Sequence, residues 1–388
     1  MSSTRIYRLD SDPSAIGIAA GIIRAGGTVA FPTETVYGLG ANATDAAAVA
    51  KIYIAKQRAL NDPLIVHCAP ELDDLQNAPE VLMRTEVIGA LSARQRQQAL
   101  ALTRIFWPGP LTLVLPRGAR IPANVSAGLE TVAVRMPNHP LALALIRQSG
   151  LPIAAPSANR FGHVSPTSAQ HVLDDLDGRI DVLLDGGSTS IGVESTVLDL
   201  TAEQPVILRP GGLAREDIEQ VIGALGERER GSAPEYRAQG AGEQESKGEV
   251  EQGNGGAIGE RISGTPAPHL PDSTAPQRAP GMLSKHYAPR AELHIMPDLN
   301  ALQQKRQALT TRGLRVGLLI RSSEAAACAG LDPQFILGET LADIARNLYA
   351  GLRALDDDGA DAILISQVER TGLGEAIADR LQRGTAKN

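Results

Sequence analysis

Aromatic residues make up only 3% of this 388-residue chain, and it holds just two cysteines, Cys68 and Cys328. With so few aromatics the cores must rest on Ala, Val, Leu and Ile, and a base-stacking surface for RNA is disfavoured. Two cysteines far apart in sequence give no disulfide framework and no CxxC metal pair; reduced thiols are expected. No GxxxxGK[ST] occurs, so there is no P-loop, and Gly38-Leu39-Gly40 lacks the third glycine of a dinucleotide fingerprint. HExxH and GxSxG are also missing, and the seven histidines show no metal-ligand spacing. The apolar stretch 15–31 is broken by Arg24 and Gly26-Gly27, so it reads as a helix and a strand and not as a membrane span. The first dozen residues are polar, which gives no signal-peptide core. A cytoplasmic protein with no membrane contact is expected. Positive charge is in deficit, 37 Lys and Arg against 44 Asp and Glu, for a net charge of −7. That argues against a general nucleic-acid coat but leaves room for a local basic pocket.

What is present is concentrated between residues 28 and 67. A short strand at 28–31 runs into the polar turn Pro32-Thr33-Glu34-Thr35, a helix-like segment ends at Lys56-Gln57-Arg58, and an apolar strand at 64–66 terminates in His67. Loops at strand ends are where α/β proteins keep their chemistry. Lys56 and Arg58 read as an anion clamp, a point charge beside a bidentate fork; as a bare helix end they would merely suit the dipole. Ser157-Ala158-Asn159 follows another apolar strand, which favours a substrate loop over an ordinary turn. Arg135 ends the apolar run 132–135 and needs a carboxylate partner, a need that a substrate carboxylate would meet.

Along the chain, helices are expected to about residue 25, from 44 or 45 with Val49, Ile52 and Tyr53 on one face, at 84–104, and near 140–149, 167–177 and 214–225. Strands are expected at 111–115, 132–135, 153–155, 182–184, 196–200 and 206–208. Mixed βα and ββ connections imply a twisted mixed sheet flanked by helices. Residues 227–278, rich in Gly, Glu, Gln, Pro and Ser, read as a flexible linker. Segment 279–290 is expected to be ordered. From 291 to 388 a second α/β pattern has strands at 292–296, 315–320 and 362–366 and helices at 298–311 and 339–355, implying a small parallel sheet.

Lys56/Arg58 and Ser157/Asn159 match the KxR and SxN motifs of the threonylcarbamoyl-AMP synthases. Further matches are Val134-Arg135-Met136-Pro137, Glu194-Ser195-Thr196, Leu208-Arg209-Pro210-Gly211, Pro280-Gly281-Met282 and His286-Tyr287-Ala288-Pro289. The chain resembles the two-domain form of that family over nearly all of 5–226 and 279–388. The resemblance implies a YrdC-like catalytic domain, 1–226, plus a smaller C-terminal Rossmann-like α/β domain. It implies a reaction in which L-threonine, bicarbonate or CO2, and ATP with Mg²⁺ give threonylcarbamoyl-AMP and pyrophosphate, for modification of position 37 of tRNA. Downstream tRNA threonylcarbamoyl-transfer proteins would be its partners; direct tRNA binding is not required.

Carried over by motif, Lys56, Arg58, Ser157 and Asn159 are the catalytic candidates. Thr35, His67, Arg135, Ser157 and Ser195 should hold threonine. Arg58, Asp62, Thr131, Asn159, Thr167, Arg209 and Tyr287 should line the ATP site, with Ser165 near the phosphates and no protein-held metal. Asp62 departs from the Asn or His usual there, and a carboxylate beside a triphosphate is repulsive unless it meets Mg²⁺ or a ribose hydroxyl. Segment 280–289, with Tyr287, is expected to close over the pocket as a lid. The alternatives are an RNA-binding YrdC-like module and a carbamoyl-adenylate enzyme with another acceptor; threonine-dependent pyrophosphate release separates them.

Overall fold

Short runs of Val, Ile, Leu and Ala between polar turns form the strands, and the amphipathic stretches between them form helices. The computed structural model describes residues 3–8, 12–227, 276–278 and 288–385. The linker expected at 227–278 and the lid expected at 280–289, with Tyr287, thus fall largely outside the described residues. In the N-terminal part the order is β1 (Arg5–Arg8), α1 (Ala15–Arg24), β2 (Val29–Phe31), β3 (Gly38–Asn42), α2 (Ala46–Lys56), β4 (Ile65–His67), α3 (Ala78–Arg84), α4 (Ala93–Phe106), β5 (Leu111–Pro116) and β6 (Thr131–Arg135). Then come α5 (Pro140–Ser149), β7 (Ile153–Ala154), α6 (Ala169–Leu176), β8 (Val182–Asp185), β9 (Thr196–Asp199), β10 (Val206–Arg209) and α7 (Arg215–Ile222). These strands form one 10-stranded sheet in the order β1-β8-β2-β3-β7-β4-β6-β5-β9-β10. Parallel pairs such as β4 with β6 stand beside antiparallel pairs such as β5 with β6, so the sheet is mixed, as the connections imply.

The C-terminal part contains β11 (Glu292–Met296), α8 (Leu299–Thr311), β12 (Val316–Arg321), β13 (Gln334–Gly338), α9 (Leu341–Asp357), β14 (Ala362–Ser366) and α10 (Leu373–Gly384). Its four strands, ordered β11-β14-β12-β13, are all parallel, with helices between them. Both sheets belong to one compact unit.

Several elements differ from expectation. The helix expected from 44 or 45 is α2, capped by Asp45, but β3 ahead of it, a central strand with little β-propensity, was not foreseen. A Cβ at Gly40 would lie 2.6 Å from Ile153 and 2.7 Å from Phe31, so glycine is what lets β3 fit between its neighbours. The helix expected at 84–104 begins only at Ala93, as α4, and α3 ends at Arg84 ahead of it. Residues 85–91 break away, with Ile88 bridging to Arg117, and Ser92 starts α4 through a capping box with Gln95. Strands β1 and β13 and helices α3 and α10 were not foreseen; α10 buries Ala376, Ile377 and Leu381 on one face.

The register of four adjacent strands positions the site. His67 pairs with Arg135, Arg135 with Thr112, and Thr112 with Val197. Side chains alternate faces, so residues two apart share one. His67, Arg135 and Thr112 therefore lie on the same face as Ile65, Ala133, Val114 and Val197, which form a small buried apolar cluster. The opposite face sends Val66, Val134, Leu113 and Leu198 into the main core. With both faces buried, the polar residues are confined to the strand ends.

Candidate active site

At the ends of β4 and β6 a partly open cleft is lined by Thr33, Thr35, Tyr37, Arg58, His67, Arg135, Ser157, Glu194, Ser195 and Arg209. Seven of the candidates named from sequence thus meet in one cleft: Thr35, Arg58, His67, Arg135, Ser157, Ser195 and Arg209.

Arg135 has its carboxylate within the protein. Its guanidinium lies 2.6 Å from Glu34 Oε1, both side chains being buried, and its Nε donates to Gly109 O at 3.3 Å. Glu34 was not singled out from sequence, although a buried arginine at a strand end signals that such a partner is needed. The pair fixes the guanidinium at the cleft wall. Beside it, burial and the charge of Arg135 push His67 down to about 3. The imidazole is therefore neutral at physiological pH, and its Nδ1 has no hydrogen-bond partner among the described residues. A neutral ring nitrogen here suits a ligand hydroxyl or amine. Thr35, fully buried, shares a 2.9 Å hydrogen bond with Thr33, which also donates to Val36 O at 2.6 Å.

The KxR motif divides into two roles. Asp45 caps α2 at its start, and Gln57 ends it in the left-handed region, at φ 54°. That reversal separates the residues on either side. Arg58 turns into the cleft wall, where Nε donates to Asp62 O, Nη2 donates to Pro63 O, and Asp62 Oδ2 lies 2.8 Å away. Asp62 is thus the anchor of Arg58, which accounts for a carboxylate at that position. Lys56 does not line the cleft: its Nζ donates to the carbonyls of Ser157 and Asn159, and its side chain is buried. Burial pushes its ammonium well below the ordinary lysine range, with Arg58 adding to the shift. Lys56 thereby ties α2 to the SxN loop.

That loop is tied internally as well. Ser157 Oγ donates to Asn159 Oδ1, and Asn159 Nδ2 donates to the carbonyls of Arg160 and His163. Asn159 is therefore committed to loop geometry, leaving Ser157 at the cleft surface. On the other side Ser195 Oγ lies 2.8 Å from Thr112 Oγ1, and Arg209 Nη2 donates to Ser195 O at 3.0 Å. Glu194 lines the cleft too. Burial pushes its carboxyl up, but Arg380 and Arg209 outweigh that, and the net shift is below the ordinary carboxylate range. Neither Glu194 nor its C-terminal partners had been named as site residues.

The remaining candidates lie behind or beyond the cleft. Ser165 donates to Glu194 Oε1 at 2.7 Å. The Thr167 amide donates to His171 Nδ1. Thr131 sits four residues before Arg135 at the other end of β6, about 13 Å away at strand spacing. The parallel pairing of Ile65 with Ala133 puts it on the Pro63 side, toward Arg58 and Asp62. Tyr287 lies outside the described residues. Among the described residues no three His, Cys, Asp or Glu side chains converge as a metal cage, and no helix is long and apolar enough to cross a membrane.

Residues 21–211 match the family described as Telomere recombination, and residues 213–386 match the family described as Threonylcarbamoyl-AMP synthase, C-terminal domain. A Threonylcarbamoyl-AMP synthase of Pyrococcus abyssi is 42% identical over 375 residues, covering 95% of this chain and 94% of the relative. The chain belongs to the threonylcarbamoyl-AMP synthase family. A second relative in that family, from Bacillus subtilis, is 42% identical over 382 residues, covering 97% of this chain and 94% of its own length. The crystal structure of P. abyssi Sua5 complexed with L-threonine superposes with a TM-score of 0.78 at 40% identity, covering 99% of this chain and 98% of that one. Membership of the threonylcarbamoyl-AMP synthase family makes the chain an enzyme with a YrdC-like sheet and a second α/β sheet.

Proposed function

We propose that this chain is an L-threonylcarbamoyladenylate synthase that converts L-threonine, bicarbonate or CO2, and ATP into threonylcarbamoyl-AMP and pyrophosphate. It supplies the threonylcarbamoyl group for position 37 of tRNA. The observation that carries this reading is the convergence of Arg135, His67 and Ser195 with Arg58 and Arg209 in one cleft, in a chain of this family.

Threonine enters with its carboxylate toward Arg135, which Glu34 and Gly109 hold in orientation. Neutral His67 accepts from the substrate's hydroxyl or amine, and Ser195 and Thr35 complete the polar wall. The amine adds to CO2 and loses a proton, giving a carbamate. A carbamate oxygen then attacks the α-phosphorus of ATP, and pyrophosphate leaves. No covalent enzyme intermediate is needed; the protein must align two anions and offset their repulsion. Arg58 and Arg209 do so at the nucleotide end, with Lys56 and Asn159 fixing the loop that presents Ser157. This makes the enzyme an adenylyltransferase, class EC 2.7.7.

Mg²⁺ fits as a passenger on the triphosphate. The nearby carboxylates are committed to arginines, Asp62 to Arg58, Glu34 to Arg135 and Glu194 to Arg380, so none is offered as a resident ligand. The enzyme works in the cytoplasm and passes its labile adenylate to tRNA threonylcarbamoyl-transfer proteins.

The test is pyrophosphate release across amino acids, with and without bicarbonate. Threonine is expected to give the highest rate and serine a weak one. Valine fails badly, because a site built around a hydroxyl rejects analogues that lack it. Equal use of valine and threonine would overturn the roles given to His67, Thr35 and Ser195.

A further inference from the structure

The C-terminal sheet reaches the cleft through its helices. Tyr349 of α9 and Arg380 of α10 are both buried, and both meet Glu194. The Tyr349 hydroxyl lies 3.1 and 3.0 Å from the two carboxylate oxygens, and Arg380 Nε donates to Oε2 at 2.6 Å. Arg380 Nη2 also donates to Pro210 O at 2.9 Å, so one guanidinium grips the residue before Ser195 and the residue after Arg209. Packing points the same way. Val36, Val164 and Val193 are buried in the C-terminal core with Ile344, Leu348 and Tyr349. Each is a chain neighbour of a polar residue in or just behind the cleft: Thr35, Ser165 and Glu194. Gly192 adds a close approach: a Cβ there would lie 2.4 Å from Ala345 O and from the Arg346 Cα. The loop that delivers Glu194 and Ser195 therefore lies directly on α9.

We propose that Arg380 and Tyr349 are positioning residues: they fix Glu194, and through it Ser195 and Arg209, in the geometry that binds threonine. The C-terminal sheet is thereby the rear support of the active site. A buried carboxylate with only one partner would be free to turn; three donors from three elements, Ser165, Tyr349 and Arg380, leave it one orientation. Moving a support by an ångström is enough to cost about 100-fold in rate.

This inference rests on the proposed reaction, and the experiment separates the two. Full-length parent, Tyr349→Phe, Arg380→Lys and Arg380→Ala are compared by threonine-dependent pyrophosphate release, threonine calorimetry and thermal melting. Tyr349→Phe keeps the ring and its packing, and should weaken threonine binding by about tenfold, the scale of one hydrogen bond to a charge. Arg380→Ala should lower kcat/KM for threonine by about 100-fold, and added guanidinium should restore part of it. Arg380→Lys should stay impaired, because one ammonium cannot reproduce a fork aimed at two acceptors. If Arg380→Ala does not fold, Tyr349→Phe decides alone. A folded Tyr349→Phe that binds and turns over threonine like the parent would overturn the positioning role. A parent without threonine-dependent release contradicts the reaction instead.

Discussion

The two sheets divide the labour differently. The 10-stranded sheet carries its polar residues at strand ends: His67 closes β4, Arg135 closes β6, Arg209 closes β10, and Ser195 precedes β9. The four-stranded sheet has apolar central strands, with Val316, Leu318, Leu319 and Ile320 of β12 and Ala362 to Ile365 of β14 all buried. Its contribution to the cleft comes from helices, through Tyr349 and Arg380. A mixed sheet of short strands ends often and offers many places for chemistry. A small parallel sheet, covered by its helices, offers a rigid back on which another domain's loop can be held.

The sharpest test of the strand-end side is Arg58→Ala. It should cut threonine-dependent pyrophosphate release by at least ~100-fold, the scale of losing a preorganised charge donor. The melting temperature should change less than the rate, and turnover near that of the parent at saturating ATP would remove Arg58 from the chemistry. Lys56→Met should act differently. It leaves the carbonyls of Ser157 and Asn159 without their donor, so it should lower activity by ~10- to 100-fold and stability by about 1–3 kcal/mol together. A variant with full stability and lost activity would return Lys56 to the phosphates.

The junction between the sheets is tested by glycine substitution. Gly192→Ala must push backbone against α9 from a left-handed φ of +83 and should cost about 2–5 kcal/mol in denaturant unfolding, with weaker threonine binding. Gly128, at φ +85 with nothing within 4 Å of a Cβ, should pay only the left-handed penalty, about 1–2 kcal/mol. Unchanged threonine affinity in a folded Gly192→Ala protein would cut the link between α9 and the cleft.

The most gradual effect is a slope in stability against pH. His67 is pushed down to about 3 and His171 to about 4, in each case first by burial. Between those values and 6.5 the unfolded chain binds more protons than the folded one, so stability is full above about pH 6.5 and falls as the solution is acidified. Each group contributes up to about 1.4 kcal/mol per pH unit in its window. In the lower part of that window, as the pH falls through the ordinary carboxylate range, the depressed carboxyls of Glu194, Asp175 and Asp379 add their own loss. His67→Asn should flatten the upper part of the slope by one proton; an unchanged slope would mean that His67 is charged in the folded state.

Most of the mixed sheet was legible because its strands are short apolar runs bounded by Gly, Pro and Asp. β3 was not, since its glycines are chosen by neighbours distant in sequence and not by propensity. The cleft was legible where residues end a strand, as His67, Arg135 and Arg209 do. What escaped was pairing. Glu34 opposite Arg135, Asp62 as the anchor of Arg58, Lys56 as a brace and Glu194 held from α9 and α10 all depend on contacts that no local pattern encodes. A motif says that a charge is needed, and only the fold says which charge answers it.

The most direct measurement is to incubate the full-length protein with MgATP, L-threonine and isotope-labelled bicarbonate and to identify the adenylate by mass spectrometry. The account predicts threonylcarbamoyl-AMP carrying one labelled carbon, formed only when all three substrates are present and absent with Arg58→Ala. An adenylate without the label would mean that the threonine carboxylate, and not a carbamate, attacks the α-phosphorus, and would contradict it.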